Sequence, residues 1–253
     1  MARYEEIDIL KGIAVILMVI FHIFYLGNHM GFKKIDASGN FLYMMAKIAH
    51  LTFIFMAGIN LFISKNKNKD NKNKFYKNNI LRSTKLLIYG LIITIITYYL
   101  FGEAKYVKFG ILHFISIAII LSLFIADKLY IAIVILIIFV FLQMYTKNRN
   151  KFSSICSKNP VICFIMGIYG NYNGHIGSMD HFALIKVYPI FFSGIIIGNL
   201  LYKKSREIKK KKPNKLLDIL AWTGKKSLQI YLIHWIVIFI VLYCLGGRPT
   251  KYY

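Results

Sequence analysis

Cysteine is scarce in this sequence, and its spacing argues against two common uses of the residue. The chain has three cysteines, Cys156, Cys163 and Cys244, which is an odd number and includes no CxxC pair. Disulfide frameworks and thiolate zinc sites both need larger, regularly spaced sets. We therefore expect neither of them, and we interpret the three cysteines as packing residues.

Several familiar catalytic motifs are also missing. The sequence has no HExxH pair and no clustered carboxylates, so nothing in it resembles a dedicated metal site. It also lacks a GxSxG nucleophile elbow and a Walker phosphate loop. We therefore expect no metal cofactor, and any chemistry must come from other side chains.

Apolar side chains, in contrast, are in excess. Hydrophobic residues make up 57% of the 253 residues, and the mean hydropathy of +0.55 is too high for a chain that meets water on every side. The formal net charge of +23 would by itself suggest nucleic acid, but the basic residues lie almost entirely between apolar runs. The predicted partner is therefore a lipid bilayer and not nucleic acid.

Seven apolar stretches approach the roughly 17 to 25 residues that span a bilayer. They cover about residues 9–27, 41–64, 86–101, 109–126, 129–144, 187–202 and 228–245, and the third and fifth are marginally short. None shows the period-two alternation of a barrel strand, and backbone amides in lipid need helical partners. The predicted fold is all-α: a multi-pass membrane helix bundle of about seven transmembrane helices, forming one domain over residues 1–253 in the cell membrane.

Basic residues set the predicted orientation. A cytoplasmic N-terminus places twenty-one of them inside and eleven outside, with Lys47 left within the second helix. Residues 65–77 and 209–212 are too hydrophilic to pack and are expected to anchor to anionic lipid, with a phosphate-rich ligand as the alternative.

Two further patterns concern the second half of the chain. The apolar stretch 161–168 after Pro160 is too short to span and predicts a re-entrant or interfacial half-helix followed by an irregular outer loop. Gly194 and Gly198 have the GxxxG spacing that allows close helix packing, within one chain or across a homodimer.

Ionisable residues inside predicted spans are candidates for function because burying them in lipid costs about 2.5 kcal/mol or more on insertion scales. His22 lies roughly 6 Å below the outer boundary at 1.5 Å per residue, and His113 enters the fourth helix at a matching depth. Lys47 and His50 are three apart on one face of the second helix. His234 is expected in the inner half of the last helix.

Imidazole suits proton transfer near neutral pH and can also accept an acyl group. The alternative for each histidine is a structural hydrogen bond to a neighbouring helix, and for Lys47 it is snorkelling toward the headgroups. The rival functional classes are a proton-coupled transporter or channel, in which the histidines form a proton path, and a non-catalytic scaffold.

The sequence resembles the heparan-alpha-glucosaminide N-acetyltransferase catalytic-domain family, within the transmembrane acyltransferases. Five pieces in the expected order carry the resemblance: EIDILKGIAVILMVIFH (6–22), FIFMAGINLFIS (53–64), FGILHFISIAIIL (109–121), SMDHFALI followed by FFSGIIIG (178–198), and GKKSLQIYLIH (224–234). The resemblance implies acyl transfer from cytoplasmic acetyl-CoA to an amine or hydroxyl of a carbohydrate or other small acceptor across the membrane.

The resemblance also implies residue roles. His22 and His113 match catalytic positions, and Asp180 matches an aspartate of the outer loop. We expect Asp180, Lys47 and His50 to bind the acceptor. Asp8, Lys11 and Arg82 are expected to bind the donor nucleotide.

Some positions depart from the family pattern. Lys11 and Lys47 replace expected arginines, which removes a planar two-point grip on phosphate or carboxylate. Residues 183–187 replace a stretch containing two prolines and a tryptophan, and we expect this change to reshape the acceptor side.

Overall fold

The computed structural model describes residues 4–32, 40–103, 106–146, 156, 158–168, 180–203 and 214–248. Within these ranges the secondary structure is helical and no β-strand is present, so the predicted all-α class is confirmed. The helices are α1 (Glu5–His29), α2 (Asn40–Lys67), α3 (Lys72–Phe101), α4 (Ile111–Ser122), α5 (Leu129–Thr146), α6 (Pro160–Met166), α7 (Leu184–Tyr202), α8 (Lys215–Lys225) and α9 (Ser227–Cys244).

Six of these helices are long and apolar enough to cross a membrane, namely α1, α2, α3, α5, α7 and α9. Helix α4 is apolar but has only 12 residues. The third apolar run is marginally short, but it lies in a longer helix, because α3 begins after an Asn71 cap and its polar first turns extend it to 30 residues. A multi-pass membrane protein is therefore confirmed.

The described residues pack into two units, and α2 contributes to both. The first unit comprises residues 1–53 and 207–253 and contains α1, α8 and α9. Its tightest packing is between α1 and α8, where Gly12 meets the backbone of Leu220 and Gly224 meets the backbone of Asp8. Because a side chain at either glycine would collide with backbone, the two helices can approach this closely only with glycine at both positions.

Helix α8 lies between the predicted spans 187–202 and 228–245, where no helix was predicted from the sequence. The side chain of Asn214 caps it by accepting the amide hydrogens of Leu216 (3.0 Å) and Leu217 (3.4 Å). Ala221 and Gly224 are buried, whereas Trp222 is exposed. The helix is therefore amphipathic, with its small residues toward α1.

Helix α9 then packs against α1 within the same unit. Ile230 and Tyr231 contact a small core of Val15, Met18 and Ala49. Near the other end of α9 the Arg248 amide donates to the Met30 carbonyl at 3.0 Å. Higher residue numbers in α9 thus match higher numbers in α1, and the two helices run parallel.

The second unit covers residues 54–206, and a crossing of α2 with α7 lies at its centre. Gly58 meets the Phe191 carbonyl, Gly194 meets the Phe55 carbonyl, and Gly198 lies against Phe62. The close packing predicted from the GxxxG spacing is confirmed, and it occurs within one chain. No side chain separates the backbones at Gly58 and Gly194.

The lysine-rich turn between α2 and α3 packs more than the sequence indicates. Lys65 is only 8% exposed, with its ammonium group 3.8 Å from Asp127 Oδ2 and 4.7 Å from the Phe75 ring centre. Asn79 donates to the Ser64 hydroxyl at 2.8 Å. The prediction that residues 65–77 do not pack was wrong for Lys65 and Phe75, which bury their apolar atoms between the helices, whereas residues 69–74 are exposed as expected.

The prediction that all three cysteines only pack was also wrong. Cys156 and Cys163 form a disulfide with their Cα atoms 5.5 Å apart, and Cys244 is free and exposed. The bridge brings Cys156 against α6, which has seven residues and ends at Gly167 in a left-handed conformation. The predicted half-helix is confirmed as too short to span, and residues 169–179 of the predicted outer loop lie outside the described residues.

Candidate active site

A pair of histidines occupies the first unit, one on α1 and one on α9. The Nδ1 atom of His22 lies 3.3 Å from Nε2 of His234, and the ring centres are 4.8 Å apart. His234 is 6% exposed and His22 is half-buried. The pair is therefore a direct contact between two imidazole rings, one from α1 and one from α9.

Backbone carbonyls define which ring nitrogens carry hydrogen. Nδ1 of His22 lies 2.9 Å from the Met18 carbonyl, and Nδ1 of His234 lies 2.6 Å from the Tyr231 carbonyl. A carbonyl oxygen only accepts, so both Nδ1 atoms must be protonated. In the neutral rings Nε2 of His234 is then an acceptor facing His22, and Nε2 of His22 carries a lone pair.

The surroundings of His22 are aromatic and basic. The Trp235 ring centre is 5.5 Å away in an edge contact, and Tyr25 packs against the same imidazole at 6.5 Å. His50 of α2 lies close enough to interact electrostatically with His22. Lys47, in contrast, is exposed on α2, which favours the snorkelling alternative for its ammonium group.

His234 does not lie apart from His22, as its sequence position suggested. Counting from the ends of the apolar runs placed His22 near the outer end and His234 in the inner half. The two rings nevertheless touch, because α1 continues to His29, beyond the run, and α9 starts directly after α8, beside the first turn of α1. Residue counts from the ends of two separate apolar runs therefore do not show whether two side chains lie at the same depth in the membrane.

A second cluster lies in the second unit around the start of α4. His113 is buried, and its ring lies over Gly90 of α3, where an added Cβ would be 2.9 Å from the imidazole. Ser116 lies one turn after His113 on α4, and Ser83 lies two turns before Gly90 on α3. Their hydroxyls are 2.9 Å apart and hold α3 and α4 together at this point. Within the described part of the chain, Nδ1 of His113 is buried without a hydrogen-bond partner.

Asp180 lies beside the N-terminus of α4. An added Cβ on Gly110, the residue that precedes the helix, would be 3.6 Å from Asp180 Oδ2. The amide of Phe182 donates to the Phe109 carbonyl at 3.0 Å, which ties this segment to α4. Burial raises the pKa of the Asp180 carboxyl from 3.8 to about 7, so the group can be protonated or ionised near neutral pH.

His181 follows Asp180 and stacks on an aromatic ring of α6. Its ring centre is 4.0 Å from that of Phe164, and the two planes differ by 18°. Burial lowers the pKa of His181, with a hydrogen bond to the Phe164 backbone opposing it. The disulfide-linked helix α6 therefore supplies one wall of the segment that carries Asp180.

The family model of the heparan-alpha-glucosaminide N-acetyltransferase catalytic domain matches residues 3–236. The chain belongs to this family. The match includes both histidine clusters and Asp180, and it covers nearly the whole chain. No curated protein matches. No solved structure matches either.

Membership of the heparan-alpha-glucosaminide N-acetyltransferase family indicates transmembrane acetyltransferase activity, and the predicted residues divide between the two units. His22, Lys47, His50, Asp8 and Lys11 belong to the first, whereas His113, Asp180 and Arg82 belong to the second. Within the first unit the structure brings together His22 and His50. Within the second it places His113 and Asp180 at the same end of α4.

The residues predicted to bind the nucleotide divide between the two units, with Asp8 and Lys11 in the first and Arg82 in the second. Asp8 is 2% exposed, and its backbone carbonyl is covered by Gly224 of α8. Lys11 is half-buried one turn further along α1, and Arg82 is half-buried on α3. Their role in binding a donor stays a prediction.

Sequence reasoning missed two residues of this family member's candidate sites. His234 was expected in the inner half of the last helix, apart from His22, and was given no role in the site. His181 adjoins Asp180 in the SMDHF segment, and that adjacency was the available signal.

Proposed function

We propose that this protein moves an acetyl group from acetyl-CoA on the cytoplasmic side to an amine or hydroxyl of an extracytoplasmic acceptor, most simply a carbohydrate. Family membership supports acetyl transfer. The single observation in the structure that supports His22 as the reacting group is its Nδ1 atom, which donates to the Met18 carbonyl and leaves Nε2 with a lone pair.

The lone pair of His22 Nε2 has two chemically balanced uses. As a general base it takes the proton of the acceptor while the acceptor oxygen or nitrogen attacks the thioester carbon, and the carbon–sulfur bond breaks. As a nucleophile it takes the acetyl group first and passes it to the acceptor. In both routes the sulfur of CoA leaves with the electron pair and finally receives the acceptor's proton.

The donor and the developing charge need their own partners. Lysines on the cytoplasmic side attract the phosphates of acetyl-CoA over a distance and raise its local concentration. The oxyanion of the tetrahedral intermediate needs a hydrogen-bond donor. Because Lys47 is exposed on α2, we assign this role to a backbone amide.

Asp180 and His113 are proposed to serve the acceptor. A carboxyl with a pKa of about 7 can accept a hydrogen bond from a sugar hydroxyl in one protonation state and donate one in the other. His113 is a buried imidazole at the start of the same helix, α4, and can relay or orient a proton.

Release of the CoA thiol tests this proposal. Purified protein in detergent should release free thiol from acetyl-CoA when an amine or hydroxyl acceptor is added, at a rate that rises with acceptor concentration. A transporter, a channel or a scaffold would release none. Glucosamine is a suitable first acceptor because it offers both an amine and hydroxyls. N-acetylglucosamine, in which the amine is blocked and the hydroxyls remain, is the matched control that distinguishes transfer to the amine from transfer to a hydroxyl.

A further inference from the structure

We infer that His234 is a positioning residue for His22: the contact between its Nε2 and His22 Nδ1 fixes His22 in the tautomer that exposes a basic Nε2. The inference rests on the proposed role of His22 in acetyl transfer. It assigns a function to a buried histidine that the reaction as described above does not use.

The contacts of His234 fix the direction of its own hydrogen bond. Its Nδ1 lies 2.6 Å from the Tyr231 carbonyl and 3.2 Å from the Ile230 carbonyl, both in the preceding turn of α9. Two acceptors on the same nitrogen require the hydrogen to be there. The neutral ring therefore presents an acceptor, and not a donor, to His22.

The acceptor nitrogen of His234 faces Nδ1 of His22, which also faces the Met18 carbonyl. Its Nδ1 is 2.9 Å from the Met18 carbonyl and 3.3 Å from His234 Nε2, so one hydrogen is shared between two acceptors. The opposite tautomer would point a lone pair at both of them. His234 thus penalises the tautomer in which Nε2 of His22 is protonated and unable to act as base or nucleophile.

The same contact strengthens during the reaction. When Nε2 of His22 takes a proton or an acetyl group, the ring becomes positively charged and its Nδ1 hydrogen becomes a stronger donor. A hydrogen bond with an ionised partner is roughly twice as strong as a neutral one. His234 therefore stabilises the charged ring more than the ground state, which is the condition for lowering a barrier.

Two variants at His234 separate this role from packing. His234→Phe keeps a ring of similar size but has no acceptor, whereas His234→Gln can place an amide oxygen where Nε2 lies. We expect His234→Phe to lower kcat about 10- to 100-fold, because Met18 still supports the tautomer. His234→Gln should recover most of that loss. The KM for acetyl-CoA should change less than about threefold in either variant.

His29→Ala is the matched control. His29 lies on the same helix as His22, and its Nδ1 makes the equivalent contact with the Tyr25 carbonyl, also at 2.9 Å. Its removal should leave kcat near that of the wild type. An equal loss of kcat in His29→Ala and His234→Phe would overturn the inference, because it would show a general effect of removing a histidine from this region.

The decisive readout is the tautomer of His22 itself. Nitrogen-15 NMR of histidine-labelled protein reports which ring nitrogen carries hydrogen, with His22→Gln used to assign the signal. The wild type and His234→Gln should show Nδ1–H alone, and His234→Phe should show a mixture. An unchanged tautomer with unchanged kcat in His234→Phe would overturn the inference while leaving His22 catalytic. Full activity of His22→Gln would instead remove the proposed function.

Discussion

Replacing Gly194 by alanine should destabilise the protein, because the α2–α7 crossing has no room for a methyl group. A Cβ at Gly194 would lie 3.0 Å from the Phe55 carbonyl carbon, 3.1 Å from the Ile59 nitrogen and closer still to the Phe55 oxygen. Carbon atoms pack best at about 3.5–4.0 Å, so the helices must separate by roughly 1 Å. A gap of that size loses about a quarter to a half of each affected contact.

The expected loss follows from two opposing effects. Overpacking at a buried position costs about 1–3 kcal/mol. Alanine in a helix gains about 0.5–1 kcal/mol over glycine, which offsets part of it. We expect a net loss of about 1–2 kcal/mol, which at about 2–4 °C per kcal/mol lowers the Tm by roughly 2–8 °C. Gly194→Leu should cost more.

Gly27→Ala is the matched control for this experiment. Gly27 also lies inside a helix, but an added Cβ would have nothing within 4 Å among the described residues, so only the helix-propensity gain applies. Thermal unfolding in mild detergent should show a higher Tm for Gly27→Ala and a lower Tm for Gly194→Ala. Size-exclusion volumes should stay equal, because the crossing lies within one chain. A higher Tm in both variants would refute the packing argument.

Three further outcomes are expected. Tags at Lys69 and Lys210 should be protected in intact cells while one at Asn173 is labelled, and labelling of either lysine from outside would reverse the predicted orientation. Without reductant a maleimide should modify only Cys244 in the denatured protein, and modification of all three cysteines would contradict the disulfide. Because the folded-state pKa of Asp180 is raised, the wild type should lose stability relative to Asp180→Asn as the pH rises from about 4 to about 7. If the free energies of unfolding of the wild type and of Asp180→Asn changed equally with pH, burial would not raise the pKa of the Asp180 carboxyl.

Features set by local sequence could be predicted. The long apolar runs gave the spanning helices because length and hydropathy alone decide whether a segment can cross lipid. The spacing of Gly194 and Gly198 also gave the close helix contact, since small residues four apart share one face. Both inferences need only residues near one another in the chain.

Features set by registry between helices could not be predicted. The pairing of His22 with His234 depends on where α9 starts, and that start is fixed by a helix, α8, hidden in a basic segment. The sequence signals for α8 were Asn214, a residue type that often caps helices, and the small residues Ala221 and Gly224, which the structure shows to be buried. The disulfide was missed because two cysteines seven residues apart can bond only if the chain brings their Cα atoms close together, and the sequence does not show that α6 does so.

The proposed acetyl transfer depends most on His22, and the direct test is to measure the turnover and the stability of a His22 variant together. His22→Ala should abolish acetyl transfer while leaving the Tm and the affinity for acetyl-CoA close to those of the wild type, because its role lies in the transition state. His29→Ala should keep full activity. If His22→Ala retains transfer, or loses activity only in proportion to a lowered Tm, then His22 is a packing residue and the catalytic group lies elsewhere.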